Sequence, residues 1–322
     1  MRFIVKRILA AVAVLFVVIN LDFFLPRLVP GNAAELLAVG RALPAGVVRV
    51  AEARLGLNQP LYMQYYIYMK GIFTNWPPFF GYSFTYFPTQ VSTLIAERAP
   101  WTLLLVLTSV ALAFSLSYVV AGLSSMRRGG KLEAASLYTS IAFWSVPSFW
   151  VGLVLIWIFG VTLGWFPFFG TVGFNPGSGL SYVYSVIMHL VLPVATLTIV
   201  MFGHFFFLLR GSVQEAVSSD YVLAAEARGV RQRVIVFGYV MRNSLLPIAS
   251  LMGYFAANLV SIAIVVEDVF GYNGIGDIIV DGVIHKDYPL IEGSLFYLTL
   301  IVILLSLLGD FLLLKLDPRL RR

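Results

Sequence analysis

Chemistry needs groups that can attack, move a proton, hold a metal or cradle a phosphate, and this chain of 322 residues offers few of them. It has no cysteine and three histidines, His189, His204 and His285, which are not at ligand-like spacing. Thiol catalysis, disulfides and Cys-based metal sites are excluded, and no metal site is expected. Ser145 or Ser148 could be set beside His189 on paper as an intramembrane hydrolase, but no nucleophile motif surrounds either serine. The closely spaced glycines of "GYNGIGD" (271–277) carry no Lys. No G-x-x-x-x-G-K-[ST] loop occurs anywhere, so the chain cannot cradle ATP by that means. Two acids, Asp22 and Asp310, lie near the ends of apolar runs and are expected to pair with nearby bases or reach the interface. The central apolar runs hold no acid and no inverted repeat is evident, which speaks against an ion-coupled secondary transporter. Catalytic, cofactor-binding and metal residues are therefore all assigned as none.

The elements around these residues explain the scarcity. Hydrophobic residues make up 60% of the chain and charged residues 12%, with a mean hydropathy of +0.89. Soluble domains carry about 25% charged residues. At half that value a globule's surface could not be solvated, so the chain belongs in a bilayer. The formal charge of +6 then reflects basic loops at the cytoplasmic face, and no nucleic-acid partner is implied.

Six apolar runs are long enough to span: about 8–25, 101–124, 134–161, 182–209, 245–266 and 295–314. Gly, Pro, Asn and Ser in "FFGTVGFNPGSGLS" (168–181) part the third from the fourth. Placing the N-terminus inside puts 15 of the 22 basic residues in inner segments, and the short loops decide the matter. Both termini are thus expected in the cytoplasm of a multi-pass plasma-membrane protein. The first run is too long for a signal peptide and has no Ala-x-Ala site, so it reads as an uncleaved anchor. The expected organisation is residues 1–25 as N-terminus and first span and 26–100 as an extracellular cap. Residues 101–314 form a five-helix core with a cytoplasmic loop at 210–246, and 315–322 a basic tail. Within the cap, 44–57 has helical spacing, and the aromatic, Pro- and Gly-rich stretch 74–88 suits a packed, irregular lid.

One segment stands apart. Between the fourth and fifth apolar runs lies "SVQEAVSSDYVLAAEARG" (212–229), in which Ala, Leu, Glu and Arg favour helix. Val213, Val217, Tyr221, Ala224 and Ala225 form a predicted stripe, and Gly229 reads as a left-handed stop. A second short helix is predicted to follow and lead to Pro247. The bend would present Glu226, Arg228, Val230 and Arg231 at a corner, with small Ala residues admitting a partner's backbone. A basic helical loop is also what many membrane proteins carry at this face, and composition alone does not separate the two readings.

The segment resembles the "EAA" loop of ABC-importer permease subunits, in the dipeptide, oligopeptide and nickel group. "DYVLAAEARG" (220–229) is similar to that group's "DYVRTARAKG", and "MRNSLLP" (241–247) to its "LRNALLP". The Glu that names the wider motif would fall at Leu223, where it is absent, as is usual in this group. The resemblance continues through "RLGLNQPLYMQYYIYM" (54–69), "SVPSFWVGLVLI" (145–156), "HLVLPVATL" (189–197), "VEDVFGYNGIGDIIVDGVIHKDYPLIEG" (266–293) and "LDPRLRR" (316–322). "GYNGIG" departs from the group's Pro before Gly-Leu-Gly and is expected to alter only an outer turn.

The resemblance implies an all-α polytopic fold of six transmembrane helices, the type I importer permease fold. It implies a non-catalytic subunit that pairs with a homologous second permease and receives peptides from an extracellular substrate-binding protein. Two ATP-binding subunits, using ATP and Mg, would dock at the cytoplasmic loop. Oligosaccharides or nickel remain alternative cargoes. The coupling contacts it implies are Asp220, Tyr221, Ala225, Glu226, Arg228, Gly229, Val230 and Arg231. Polar or flexible side chains within the spans, Ser145, Ser148, Met252, Asn258 and Ser261, are candidates for the translocation path or for bonds to neighbouring helices.

Overall fold

The computed structural model describes residues 2–28, 58–75, 77–126 and 130–316. The expected helix at 44–57 lies outside them. Among the described residues the protein is all-α, with one isolated β-bridge between Tyr82 and Gln90. Its helices are α1 (Arg2–Leu28), α2 (Leu61–Thr74), α3 (Val91–Ser125), α4 (Lys131–Ser145), α5 (Ser148–Leu155), α6 (Leu180–Val217), α7 (Asp220–Ala227), α8 (Gln232–Val234), α9 (Met241–Ser250), α10 (Met252–Val269), α11 (Ile275–Ile284) and α12 (Tyr288–Leu316). A π-helical turn, Ile156–Thr162, extends α5, and another, Ile235–Val240, joins α8 to α9.

Among the described residues, four helices are long and apolar enough to cross a membrane, and two bent pairs raise the number to as many as six. The protein is a multi-pass membrane protein. The third apolar run is not one helix: it breaks between Ser145 and Ser148 with a bend of 100°. The cause is local. Val146 precedes Pro147, whose ring excludes the helical region for its neighbour, and Val146 adopts φ −86°, ψ 131°. The fifth run is bent by 71° near Leu251. Pro247, expected to end a helix, lies inside α9, and the break comes after Ser250. Pro193 lies inside the unbroken α6. Helix α3 starts at Val91, ten residues before the apolar run, and carries Pro100 in its interior.

The described chain divides into two compact units. The first comprises Leu103–Tyr272 and residues 304–316. Helix α6 is its axis, packed by α4, α5, α9 and α10. Gly203 makes a close crossing: a Cβ there would lie 2.6 Å from the Ser140 carbonyl oxygen and 3.0 Å from the Trp144 nitrogen, both backbone. Gly203→Val is therefore expected to force α4 and α6 apart at a cost of about 3 kcal/mol, the upper range for overpacking. Thermal unfolding of the detergent-solubilised chain checks this. Gly211→Ala, where an added Cβ meets no described atom within 4 Å, is the control, expected to stabilise slightly by helix propensity.

The second unit comprises Arg2–Thr102 and Asn273–Ile303. Its stretch 77–90 is irregular yet packed, as its composition predicts: Phe80 lies 5.2 Å from Phe296 and Phe84 lies 6.5 Å from Tyr288, centroid to centroid. Acids on and beside α11 hold it. The buried Asp287 accepts hydrogen bonds from the Ser83 hydroxyl, the Thr85 amide (2.8 Å) and the Leu290 amide (3.1 Å). It thereby caps α12 and pins the loop at once. Burial pushes its carboxyl above the ordinary range against the downward pull of these donors. Tyr86 donates to Asp281, and burial with that bond raises its phenol further. Asp287→Ala leaves three donors without their acceptor. It is expected to raise amide hydrogen exchange across residues 83–90 roughly a hundredfold, from a local loss of about 3 kcal/mol.

Arg27 pairs with Glu292 and donates to the Phe23 carbonyl (2.6 Å), with its guanidinium 3.7 Å from the Phe23 ring. Asp22, expected to pair with a nearby base or reach the interface, has no ion pair with Arg27, which turns to Glu292 instead. It is 5% exposed and its Oδ2 carries no hydrogen bond among the described residues. Asp310 is also buried. His189 and His204 bond through Nδ1 to the Ser185 (2.7 Å) and Val200 (3.0 Å) carbonyls within their own helix, which accounts for both structurally.

Candidate coupling segment

Helix α6 ends at Val217, and the chain turns through Ser218 and Ser219 before α7 begins. The predicted helix over 212–228 is thus two. Ser219 is extended (φ −80°, ψ 149°), and its carbonyl accepts the Val222 amide at 2.9 Å. This turn rotates α7 relative to the sequence pattern. The inward positions are Val222 and Ala225, three apart, while Tyr221 and Ala224 of the predicted stripe are exposed.

The stop at Gly229 is as predicted, with φ +74°. The Gly229 amide donates to the Glu226 carbonyl (2.9 Å) and the Val230 amide to the Ala225 carbonyl (3.1 Å). This pair of bonds is a Schellman motif, which satisfies the last carbonyls of α7 and turns the chain sharply. Nothing lies within 4 Å of a Cβ added at Gly229. Asp220, Tyr221, Glu226, Arg228, Gly229 and Arg231 are exposed and Val230 is half-buried. Ala225 differs from the other expected contacts: it is 5% exposed and packs inward. Leu223 is 60% exposed on the outward face. It stands where the wider motif carries its Glu, and a single exposed Leu is not by itself a signal for a partner.

The returning arm docks on the end of α3. Gln232 Nε2 donates to the Met126 carbonyl at 2.9 Å. Phe237, on the π-helical turn, lies over Gly122 so closely that a Cβ on that glycine would come within 2.6 Å of the ring. Tyr118 lies 6.3 Å from the same ring, centroid to centroid. Ile235, Val236 and Val240 are buried around it. The exposed corner is thus joined to a membrane-spanning helix by a seated ring and a hydrogen bond. Sequence reasoning missed Gly122 and Phe237, because a glycine in an apolar run has no partner legible in one dimension.

The candidate path residues are spread over two regions. Ser145 and Ser148 flank the bend at Pro147, and Met252, Asn258 and Ser261 lie on α10, which packs against α5. Ser145 and Ser261 are exposed, and their hydroxyls bond to the Ile141 (2.8 Å) and Ala257 (3.0 Å) carbonyls of their own helices. Ser148 and Asn258 are half-buried. The side chain of Met252 lies outside the described residues.

Residues 113–322 match the family described as "Binding-protein-dependent transport system inner membrane component". Residues 1–106 match its N-terminal counterpart. The chain belongs to this family. It is a transmembrane permease subunit of a binding-protein-dependent ABC transport system. Similar curated proteins include the oligopeptide transport system permease protein OppB of Haemophilus influenzae, 32% identical over 100% of this chain and 99% of the relative. The oligopeptide transport system permease protein AppB of Bacillus subtilis is 30% identical over 98% of each. The dipeptide transport system permease protein DppB of Lactococcus lactis is 30% identical over 99% of each. The permease thus matches such proteins end to end, and the candidate coupling segment lies within the matched region.

Proposed function

We propose that this permease imports peptides, delivered by an extracellular substrate-binding protein and driven by two ATP-binding subunits on the opposite face. The observation that carries the peptide reading is its full-length likeness to oligopeptide and dipeptide permeases. A homologous second permease completes the pathway, and each bent pair counts as one span in a six-span type I fold. Both termini face the cytoplasm, where Lys and Arg concentrate in the short loops. The corner of α7 docks in an ATP-binding subunit through Asp220, Tyr221, Glu226, Arg228, Gly229, Val230 and Arg231, with Leu223 added and Ala225 supporting from within. A capped, rigid corner fits a lever that an ATPase moves between two states. Ser145, Ser148, Met252, Asn258 and Ser261 are the path candidates.

The test is ATP hydrolysis by the permease co-purified with its genomic neighbours in lipid. It is measured with and without the loaded binding protein across peptides, oligosaccharides and nickel. Stimulation by peptides alone supports the reading. Stimulation by oligosaccharides or nickel replaces the cargo, and no stimulation by any of them removes the importer role.

A further inference from the structure

A second site lies at the membrane boundary, apart from the coupling corner. The ends of α3 and α6 and the start of α4 enclose a cavity of about 400 Å³, within the range of small-molecule sites. Its polar side is made by Ser124, Ser125, Glu133, Arg210 and Gln214, and its apolar side by Ala121, Phe206, Val213 and Val217. Among the described residues, two of its buried donors have no hydrogen-bond acceptor: the Ser124 hydroxyl and the Nε of Arg210. Buried donors in proteins nearly always have a partner, and each such exception calls for a physical account. Glu133 does not supply one, since it takes Nη2 of Arg210 (2.9 Å) and Nε2 of Gln214 (3.2 Å), and Arg210, whose Nε is left over, lines the cavity.

Position and charge narrow the ligand. Ser124 and Ser125 are the last residues of one membrane-spanning helix, and Arg210–Val217 the last two turns of another. The apolar runs of both helices end at about 124 and 209, where a spanning helix of this kind meets the headgroups. Lys131 opens α4, and the sequence between α3 and α4 includes Arg127 and Arg128, so this stretch of the chain is basic and an anionic ligand is favoured. An apolar wall beside two hydrogen-bond donors fits an amphiphile better than a free ion. We propose that this cavity binds the phosphodiester headgroup of an anionic phospholipid, its oxygens accepting from Arg210 Nε and Ser124 Oγ and its glycerol end lying along Phe206 and Val213. The inference needs the chain in a membrane and is independent of the cargo it carries.

Native mass spectrometry of the full-length chain, titrated with phosphatidylglycerol, phosphatidylcholine or inorganic phosphate, tests it. One phosphatidylglycerol should be retained in preference to phosphatidylcholine. Arg210→Gln should weaken retention about tenfold and Ser124→Ala about threefold, as expected for a charged and a neutral hydrogen bond. Ser124→Ala removes a hydroxyl that has no hydrogen-bond partner among the described residues, so it is expected to keep the fold. Glu133→Gln separates the proposal from a merely structural ion pair. It removes the competing negative charge and should tighten lipid binding, whereas a structural pair would make it as damaging as Arg210→Gln. Equal retention of both lipids, unchanged retention in Ser124→Ala and Arg210→Gln, or phosphate bound without any lipid preference would overturn the assignment.

Discussion

Gly229→Pro is expected to abolish transport while leaving the transmembrane helices folded. Proline holds φ near −65°, whereas Gly229 sits at +74°. Proline also removes the amide that donates to the Glu226 carbonyl. The turn cannot close, and the exposed face of α7 loses its orientation to the returning arm. Because nothing lies within 4 Å of the glycine's missing Cβ, Gly229→Ala isolates the backbone cost alone, about 1 kcal/mol. It should give a partial defect between wild type and proline. Glu226→Lys reverses an exposed charge on the same corner without touching the turn, and should weaken association with the ATP-binding subunits. In proteoliposomes holding the complete importer, Gly229→Pro should show uptake at background and ATP hydrolysis that no longer responds to the loaded binding protein. Wild-type uptake and stimulation in this variant would remove the corner from the coupling pathway.

How much of this was legible beforehand depends on the range of the forces involved. The stop at Gly229 was legible because left-handed backbone is a local preference of glycine. The apolar runs were legible because bilayer thickness fixes their length. The outward face of α7 was not, since two residues, Ser218 and Ser219, interrupt the helix and reset its phase; Tyr221 and Ala224 consequently turned out where Val222 and Ala225 were buried. The break at Val146 had a local signal in Pro147, but the same residue type leaves α6 unbroken at Pro193. Tertiary packing decides between those outcomes. The partner of Arg27 is Glu292, 265 residues away, and no local rule could have chosen it over Asp22. The Ser124–Arg210 cavity and the Gly122–Phe237 seat likewise join residues far apart in sequence, and only the folded chain brings them together.

That seat carries the last prediction. If the corner moves as a lever, its motion must reach the spanning helices through the contacts of the returning arm, and Phe237 over Gly122 is a tight one. Gly122→Val puts atoms where the ring lies and should displace the π-helical turn, at about 1–3 kcal/mol by overpacking. Phe237→Ala removes the ring and should loosen the same joint, leaving Gln232 to hold the arm through Met126. Each single variant is expected to lower uptake per ATP hydrolysed, because the ATP-binding subunits can still close on α7 while less of that motion reaches α3. The double variant tests the contact itself. Valine at 122 refills the space that alanine at 237 vacates, so uptake per ATP should recover above either single variant, with a coupling energy of roughly 1 kcal/mol or more between the two sites. Independent effects, with the double variant as poor as the two losses combined, would mean that the ring and the glycine merely pack and that transmission runs through other contacts. Recovery would establish the ring in its glycine notch as the joint between the corner and the membrane.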